Sequence, residues 1–297
     1  MQRRERVNNT LTNIENFIWS VQLFYEKMRR TERWKLLKKN EELRNKYEGE
    51  TCFVIGNGPS LKLEKRLGEL KNYKVFSVNQ FYRSELFDVV QPDFHVMVDP
   101  LFFNLSDQNE THRDTLERMR KIALQEKTQM ILPADAYGFI KENLGNVENH
   151  YYIKERYAVS EAYKKKYDMA GYLPASCNVV LTAIYCAIYM GFKRIVILGC
   201  DMTGLLDNYI KRSPNKEIEK FSHVYSYTEE EKKRMQDVHK MHTNEFMLHG
   251  FYKMFRDFRV LKIKCNELGI DLTNATQETA LDCIPFSVLD NILNEKR

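Results

Sequence analysis

The apolar positions along the chain fall into two textures that change near residue 50. From 8 to 48 there is no glycine or proline. Leu11, Ile14, Phe17, Ile18, Val21, Phe24 and Tyr25 recur there at spacings of three and four, which predicts one long amphipathic helix. Beyond 50, short unbroken apolar runs alternate with longer mixed segments. Residues 51–55, 74–78, 94–98, 129–132, 194–198 and 270–273 read as buried strands, each closed by Gly, Pro, Asn or Asp. An apolar helix is predicted over 178–190, stopped by Gly191, and a last helix over about 246–268. The alternation predicts an α/β fold, a Rossmann-like, mostly parallel sheet flanked by helices. Residues 203–245 are charged and weakly periodic, and are expected to leave the sheet as a lid. The expected organisation is a basic helical extension over 1–49 and a Rossmann-like catalytic domain over 50–297.

In open α/β sheets, ligands bind beyond the carboxyl ends of the strands. Five predicted ends carry small or hydrogen-bonding residues: Gly56-Asn57-Gly58, Asn79-Gln80, Asp99, Asp201 and Asn274-Ala275-Thr276. Glycines permit a sharp turn and a close backbone approach, and Pro59 suits the first turn of a following helix. The N–H groups there, with Ser60, would face a phosphate. Leu61 stands where a dinucleotide fingerprint has its third glycine, and no Walker lysine follows. Asn79 and Gln80 offer amides suited to a base edge or sugar hydroxyls. Asp99 suits a hydroxyl, a cation or a turn. Asp201 is expected to form hydrogen bonds rather than bind a metal, because the usual D-x-D is missing. Of the late histidines, His239 and His242 lie three apart without a third ligand, so no metal site is expected. His223 and His249 are the candidate general bases. No G-x-S-x-G elbow occurs, so a serine hydrolase is unsupported.

Composition narrows the class. With 17 Phe and 17 Tyr in 297 residues the chain can bury a large core, which excludes disorder as its main state. No apolar run has the 18 or so residues of a membrane span, and the basic start is followed by polar sequence unlike a secretory signal. A cytoplasmic protein is expected, with Cys52, Cys177, Cys186, Cys200, Cys265 and Cys283 as reduced thiols. Residues 1–49 hold 12 Lys and Arg against 7 Asp and Glu, so they carry the whole net charge of +5. A neutral body argues against nucleic acid as a partner. The basic cluster from Lys27 to Lys39 fits helix packing on the chain's own domain or on a second subunit, as in a homo-oligomer. Peripheral contact with an anionic membrane at its inner face is the alternative.

Three motifs carry a resemblance. Phe53-Val54-Ile55-Gly56-Asn57-Gly58-Pro59-Ser60-Leu61, Asn79-Gln80-Phe81-Tyr82 and Asp99-Pro100-Leu101-Phe102-Phe103 resemble the opening motifs of bacterial sialyltransferases of glycosyltransferase family 42. The helix-strand unit from Ala187 to Asp201 is similar to their later one. The same motifs, with Gly269 to Thr276, also resemble a broader group that includes flagellar motility-associated factors and MptE-like 6-hydroxymethylpterin diphosphokinases. The family 42 resemblance implies an inverting, metal-independent transferase without a cofactor, using CMP-sialic acid or a related nucleotide-sugar donor. Its acceptor would be a glycan, lipid-linked if the protein lies at a membrane, in bacterial capsule or lipopolysaccharide synthesis. The resemblance sets the glycine loop with Asn57 beside the nucleotide, Asn79 and Gln80 on the donor, and Tyr209, Tyr225 and Tyr227 on the leaving phosphate. By its place before the final strand His249 best matches the base, with His223 as rival. Asp99 replaces the family's Asn, and Pro174-Ala175-Ser176-Cys177-Asn178 replaces its Thr-Ser-Gly, which brings Ser176 and Asn178 into the expected donor site. Two other functions remain open. One is a diphosphokinase using Mg-ATP, with Asp99 and Asp201 as metal ligands; the other is a noncatalytic scaffold of a polysaccharide assembly complex.

Overall fold

The structure, a computed structural model, describes residues 2–145, 147–159, 167–204, 223–241 and 243–295. Helices α1 (Gln2–Arg29) and α2 (Glu32–Lys39) lead into β1 (Thr51–Ile55) and β2 (Lys74–Val78). Then follow α3 (Leu86–Val90), β3 (Phe94–Val96), α4 (Glu110–Ala123), β4 (Gln129–Pro133), α5 (Tyr137–Asn143) and three short strands: β5 (Tyr151–Ile153), β6 (Glu155–Ala158) and β7 (Leu173–Ala175). The chain closes with α6 (Val179–Tyr189), β8 (Arg194–Leu198), α7 (Glu229–Met241), α8 (Asn244–Glu267), β9 (Asp271–Asn274) and α9 (Leu289–Asn294). No described helix is long and apolar enough to cross a membrane.

Seven strands form one parallel sheet in the order β5-β4-β3-β2-β1-β8-β9. Both faces of such a sheet are covered, which is why its central strands read as unbroken apolar runs. Val54 of β1 illustrates the register: it is fully buried, flanked by Phe76 on β2 and Ile197 on β8. The chain builds outward from β1 to β5, then returns to the other side of β1 with β8 and β9. That reversal opens a crevice at the carboxyl ends of β1 and β8.

Three elements were not legible. β5 has three residues, while β6 and β7 form a small parallel pair of their own. Lys154 separates β5 from β6, and β6 opens with Glu155 and Arg156, charges that argue against a buried strand until their tertiary partners are known. The single helix expected over 8–48 is two helices. It breaks at Arg30, whose φ is 48°, and Thr31 caps α2 by accepting from Trp34 N at 3.2 Å.

The segment from α2 to β1 is built into the body. Leu37 and Leu43 are fully buried, and the buried Asn40 donates from Nδ2 to the carbonyls of Tyr152 and Met169, both at 2.6 Å. The following turn is zipped to the end of α6 through Asn45 N to Tyr189 O (3.1 Å), Tyr47 N to Met190 O (2.9 Å) and Gly49 N to Gly191 O (3.2 Å). Gly191 has φ 96°, and a Cβ there would press on the backbones of Asn45 and Glu48 at 3.0 Å. Only glycine satisfies both demands.

Removing the Asn40 amide leaves two buried carbonyls without their donor. Asn40→Ala should therefore lower the free energy of unfolding by about 2–4 kcal/mol, read from urea denaturation. A loss under ~0.5 kcal/mol would show that water replaces the amide.

Candidate active site

A cleft of about 680 Å³ lies over the carboxyl ends of β1, β2, β3 and β8, between the start of α6 and residues 223–235. Its floor is set by the glycine loop. Gly56 N bonds Leu198 O and Gly58 N bonds Gly199 O, each at 2.8 Å. A Cβ on either glycine would overlap the Gly199 carbonyl oxygen, and one on Gly58 would also strike the Asp201 carboxylate. The glycines are thus required by the contact between two loops of the protein.

The expected phosphate cradle is not at Ser60. Pro59–Leu63 is a short 3₁₀ turn rather than an α-helix, and Ser60 is buried against Asp201. Ser60 N donates to Asp201 Oδ2 at 3.0 Å and Ser60 Oγ to Asp201 Oδ1 at 2.5 Å. Both donors assigned to a phosphate are consumed by a carboxylate. Burial pushes the Asp201 carboxyl upward, while the two Ser60 bonds pull it back. The helix that opens into the cleft is α6. Asn178 caps it, accepting from Val180 N at 2.9 Å, and Ser176 Oγ donates to Asn178 O at 2.9 Å. Ser176, Asn178 and the first residues of α6 line the cleft, so the positive end of an 11-residue helix faces it.

The polar strand ends divide by direction. Asn57 and Asn79 both line the cleft. Asn57 Nδ2 holds Val78 O at 3.2 Å, and the Oδ1 atoms of Asn57 and Asn79 are buried without a hydrogen-bond partner. Asn79 sits at φ 45°, a left-handed conformation that asparagine tolerates better than most residues. Gln80 points away and donates to Glu231 Oε1 at 3.0 Å, so it does not join the site. Asn274 is also withdrawn, its Oδ1 accepting from Thr276 N at 3.1 Å beneath the loop. Asp99 lines the rim while capping its own turn through Leu101 N at 2.9 Å.

Of the two candidate bases, His223 lines the cleft and His249 does not. His249 is exposed on α8, its ring 6.5 Å from that of Tyr252. The expectation from chain position fails because α8 begins at Asn244 and turns that residue outward. His223 is held on three sides. Tyr225 stacks on its ring at 5.1 Å, Tyr227 Oη bonds its Nδ1, and the adjacent Val224 N donates to Asn57 O at 2.8 Å. Tyr227 lines the cleft, whereas Tyr225 supports the ring from outside it. Burial lowers His223 to about 4, against a smaller opposing pull from Glu231. The imidazole is therefore neutral at pH 7. Tyr209, His242 and the side chain of His239 lie outside the described residues.

Glu155 is the cleft residue that the sequence did not reveal. It projects from β6, and Thr182 Oγ1 donates to its Oε1 at 2.7 Å. Burial raises its carboxyl to about 7, with Thr182 and the Ser176 backbone pulling the other way. Among the described residues, no group of three His, Cys, Asp or Glu side chains is placed to hold a metal ion. A second hollow, about 510 Å³, lies between α1, α2 and α5. Three of its charges are paired with one another: Arg33 reaches Glu26 at 2.5 Å and Asp135 at 3.2 Å.

The model of the family described as 6-hydroxymethylpterin diphosphokinase MptE-like matches residues 27–204, which include β1 to β8 and most of the loops around the cleft. The chain belongs to the MptE-like family. The match begins before the motifs that carried the resemblance, consistent with an α2 segment buried in the body. Among solved structures, this MptE-like chain is similar to the sialyltransferase CstII from Campylobacter jejuni in complex with CMP-3FNeuAc. The identity is 17% and the TM-score 0.44, over 80% of this chain and 86% of that one. The same enzyme with cytidine 5′-monophosphate gives 17%, 0.43, 80% and 85%. A CST-II structure with a trisaccharide acceptor and CMP gives 14%, 0.43, 80% and 86%. No sequence among the curated proteins matches.

A carboxyl raised from 4.5 to about 7 by folding binds its proton more tightly in the native state. Its contribution is therefore present below pH 4.5 and lost as pH rises through 7. Relative to Glu155→Gln, the natural protein should lose on the order of 1–3 kcal/mol of stability between pH 4.5 and 8. Parallel denaturation curves across that range would refute the assignment.

Proposed function

We propose that the cleft is the active site of an inverting, metal-independent glycosyltransferase. It would take CMP-sialic acid or a related nucleotide-sugar donor, with a surface glycan as acceptor. One observation carries this: a neutral His223, the side-chain amides of Asn57 and Asn79 and the positive end of α6 line one hollow. Asn57 and Asn79 bring amide groups to the lining, a chemistry that suits sugar hydroxyls or a base edge. The start of α6 suits a phosphate that gains charge as it departs. In the proposed step the acceptor oxygen attacks the anomeric carbon as the bond to the phosphate oxygen breaks. The bonding pair leaves with CMP and the acceptor proton passes to His223, so charge and atoms balance. The motif resemblance supports cytidine as the nucleotide of the proposed donor.

A second reading is favoured by the family and by one placement. Asp99 and Asp201 both line the cleft, where they would serve as ligands for Mg-ATP in pyrophosphate transfer. Against it, Asp201 has both oxygens engaged by Ser60 and Asp99 caps its own turn.

Calorimetry separates the two. CMP and CMP-sugars should bind without magnesium; Mg-ATP binding with no cytidine binding would overturn the transferase in favour of the kinase. With a turnover assay, His223→Ala should lower kcat by ~10²–10⁴-fold and His249→Ala should leave it unchanged. Because burial holds His223 near 4, the acid limb of kcat/KM should fall well below the ordinary 6.5 of histidine. A midpoint at 6.5 or above would assign the proton to another group.

A further inference from the structure

Helix α1 docks on the body by a mixed side, where the partly buried Trp19 and Leu23 pack against the core beside polar anchors. Asn16 Oδ1 accepts from Ala158 N at 3.0 Å, Ser20 Oγ lies 3.4 Å from Tyr157 Oη, and the buried Glu26 pairs with Arg33. The apolar stripe consequently faces solvent. Leu11, Ile14, Phe17, Ile18, Val21, Phe24, Tyr25 and Met28 each expose between 50% and 68% of their surface. They run along ~27 Å of helix and present roughly 800 Å² of apolar area, more than the largest patch of an ordinary monomer. A soluble body does not leave such a face uncovered without a partner for it.

Charge decides which partner. The whole net charge of +5 resides in residues 1–49, and Lys27, Arg29 and Arg30 are exposed where the stripe ends. Arg29 lies over the Tyr25 ring at 5.7 Å, joining the cationic and aromatic parts of the surface. Arg3, Arg4 and Arg6 precede the stripe in the same helix. A second copy is a poor cover. Parallel pairing sets one Lys27-Arg29-Arg30 cluster on another, and pairing in either direction brings together two segments that each carry a net +5. A negatively charged surface meets every one of these cations favourably. We propose that the exposed face of α1 docks the protein on an anionic lipid bilayer, with the apolar side chains in the acyl boundary and the flanking cations at the headgroups. The proposal does not depend on which reaction the cleft performs.

Flotation of the full chain with phosphatidylcholine vesicles, with and without phosphatidylglycerol, tests it. The natural protein should float with the anionic vesicles and at least ~10-fold less with the neutral ones. Phe17→Ser/Phe24→Ser alters only solvent-facing side chains, so its Tm should not change while vesicle binding falls by at least ~10-fold. Lys27→Gln/Arg29→Gln/Arg30→Gln should lose on the order of 100-fold in affinity for the anionic vesicles. The proposal is overturned if the natural protein stays unbound, or binds neutral and anionic lipid alike. It is equally overturned if light scattering shows a dimer that the Phe17/Phe24 variant dissociates, because the second copy then covers the face.

Discussion

The cleft depends on a backbone contact between two neighbouring strand ends. β1 and β8 stop at the same level, and their loops must cross within van der Waals range before they diverge. Gly56, Gly58 and Gly199 supply that range; Gly199 does so at φ 61°, where a Cβ would also strike Leu61. The contact sets Asp201 beneath the 3₁₀ turn, where Ser60 satisfies both of its oxygens. It also leaves the Asn57 carbonyl free to hold Val224, and through it His223. A side chain at Gly58 would displace the carboxylate and the histidine segment together, so the loop, the acid and the imidazole form one mechanical unit.

How much of this the sequence disclosed follows from where the information resides. Central strands were legible because burial on both faces leaves no polar position in 52–55 or 195–198. β6 was illegible because its charges are satisfied by residues far along the chain, such as Glu155 by Thr182. α1 shows the limit of periodicity. The spacing identified a helix and its apolar stripe, yet the face that is covered is another one, where Asn16 and Glu26 bond and Trp19 and Leu23 pack against the core.

The site divides in the same way. Position at a strand end was enough to find Gly56, Asn57, Asn79 and Asp201, since topology alone brings those ends together. It was not enough for Gln80 and Asn274, which share the chemistry and the location but point elsewhere. Asn79 and Gln80 open a 3₁₀ turn, in which neighbouring side chains diverge by about 120°, so Asn79 enters the cleft and Gln80 goes to Glu231. His249 fails for a related reason: chain position gives the element, and the helical phase gives the direction.

These directions have an electrostatic consequence. An anionic donor would be repelled by a cleft full of ionised carboxylates. Burial raises both Asp201 and Glu155 toward their neutral forms and keeps His223 uncharged. The negative charge that Glu155 adds near neutral pH is therefore reduced, and the fixed field of α6 acts beside it. A phosphate arriving there makes ionisation of Glu155 still less favourable. Binding of an anion and uptake of a proton are then linked, with each favouring the other. The same burial that costs the fold some stability at Glu155 lowers the negative charge that an anion would meet in the hollow.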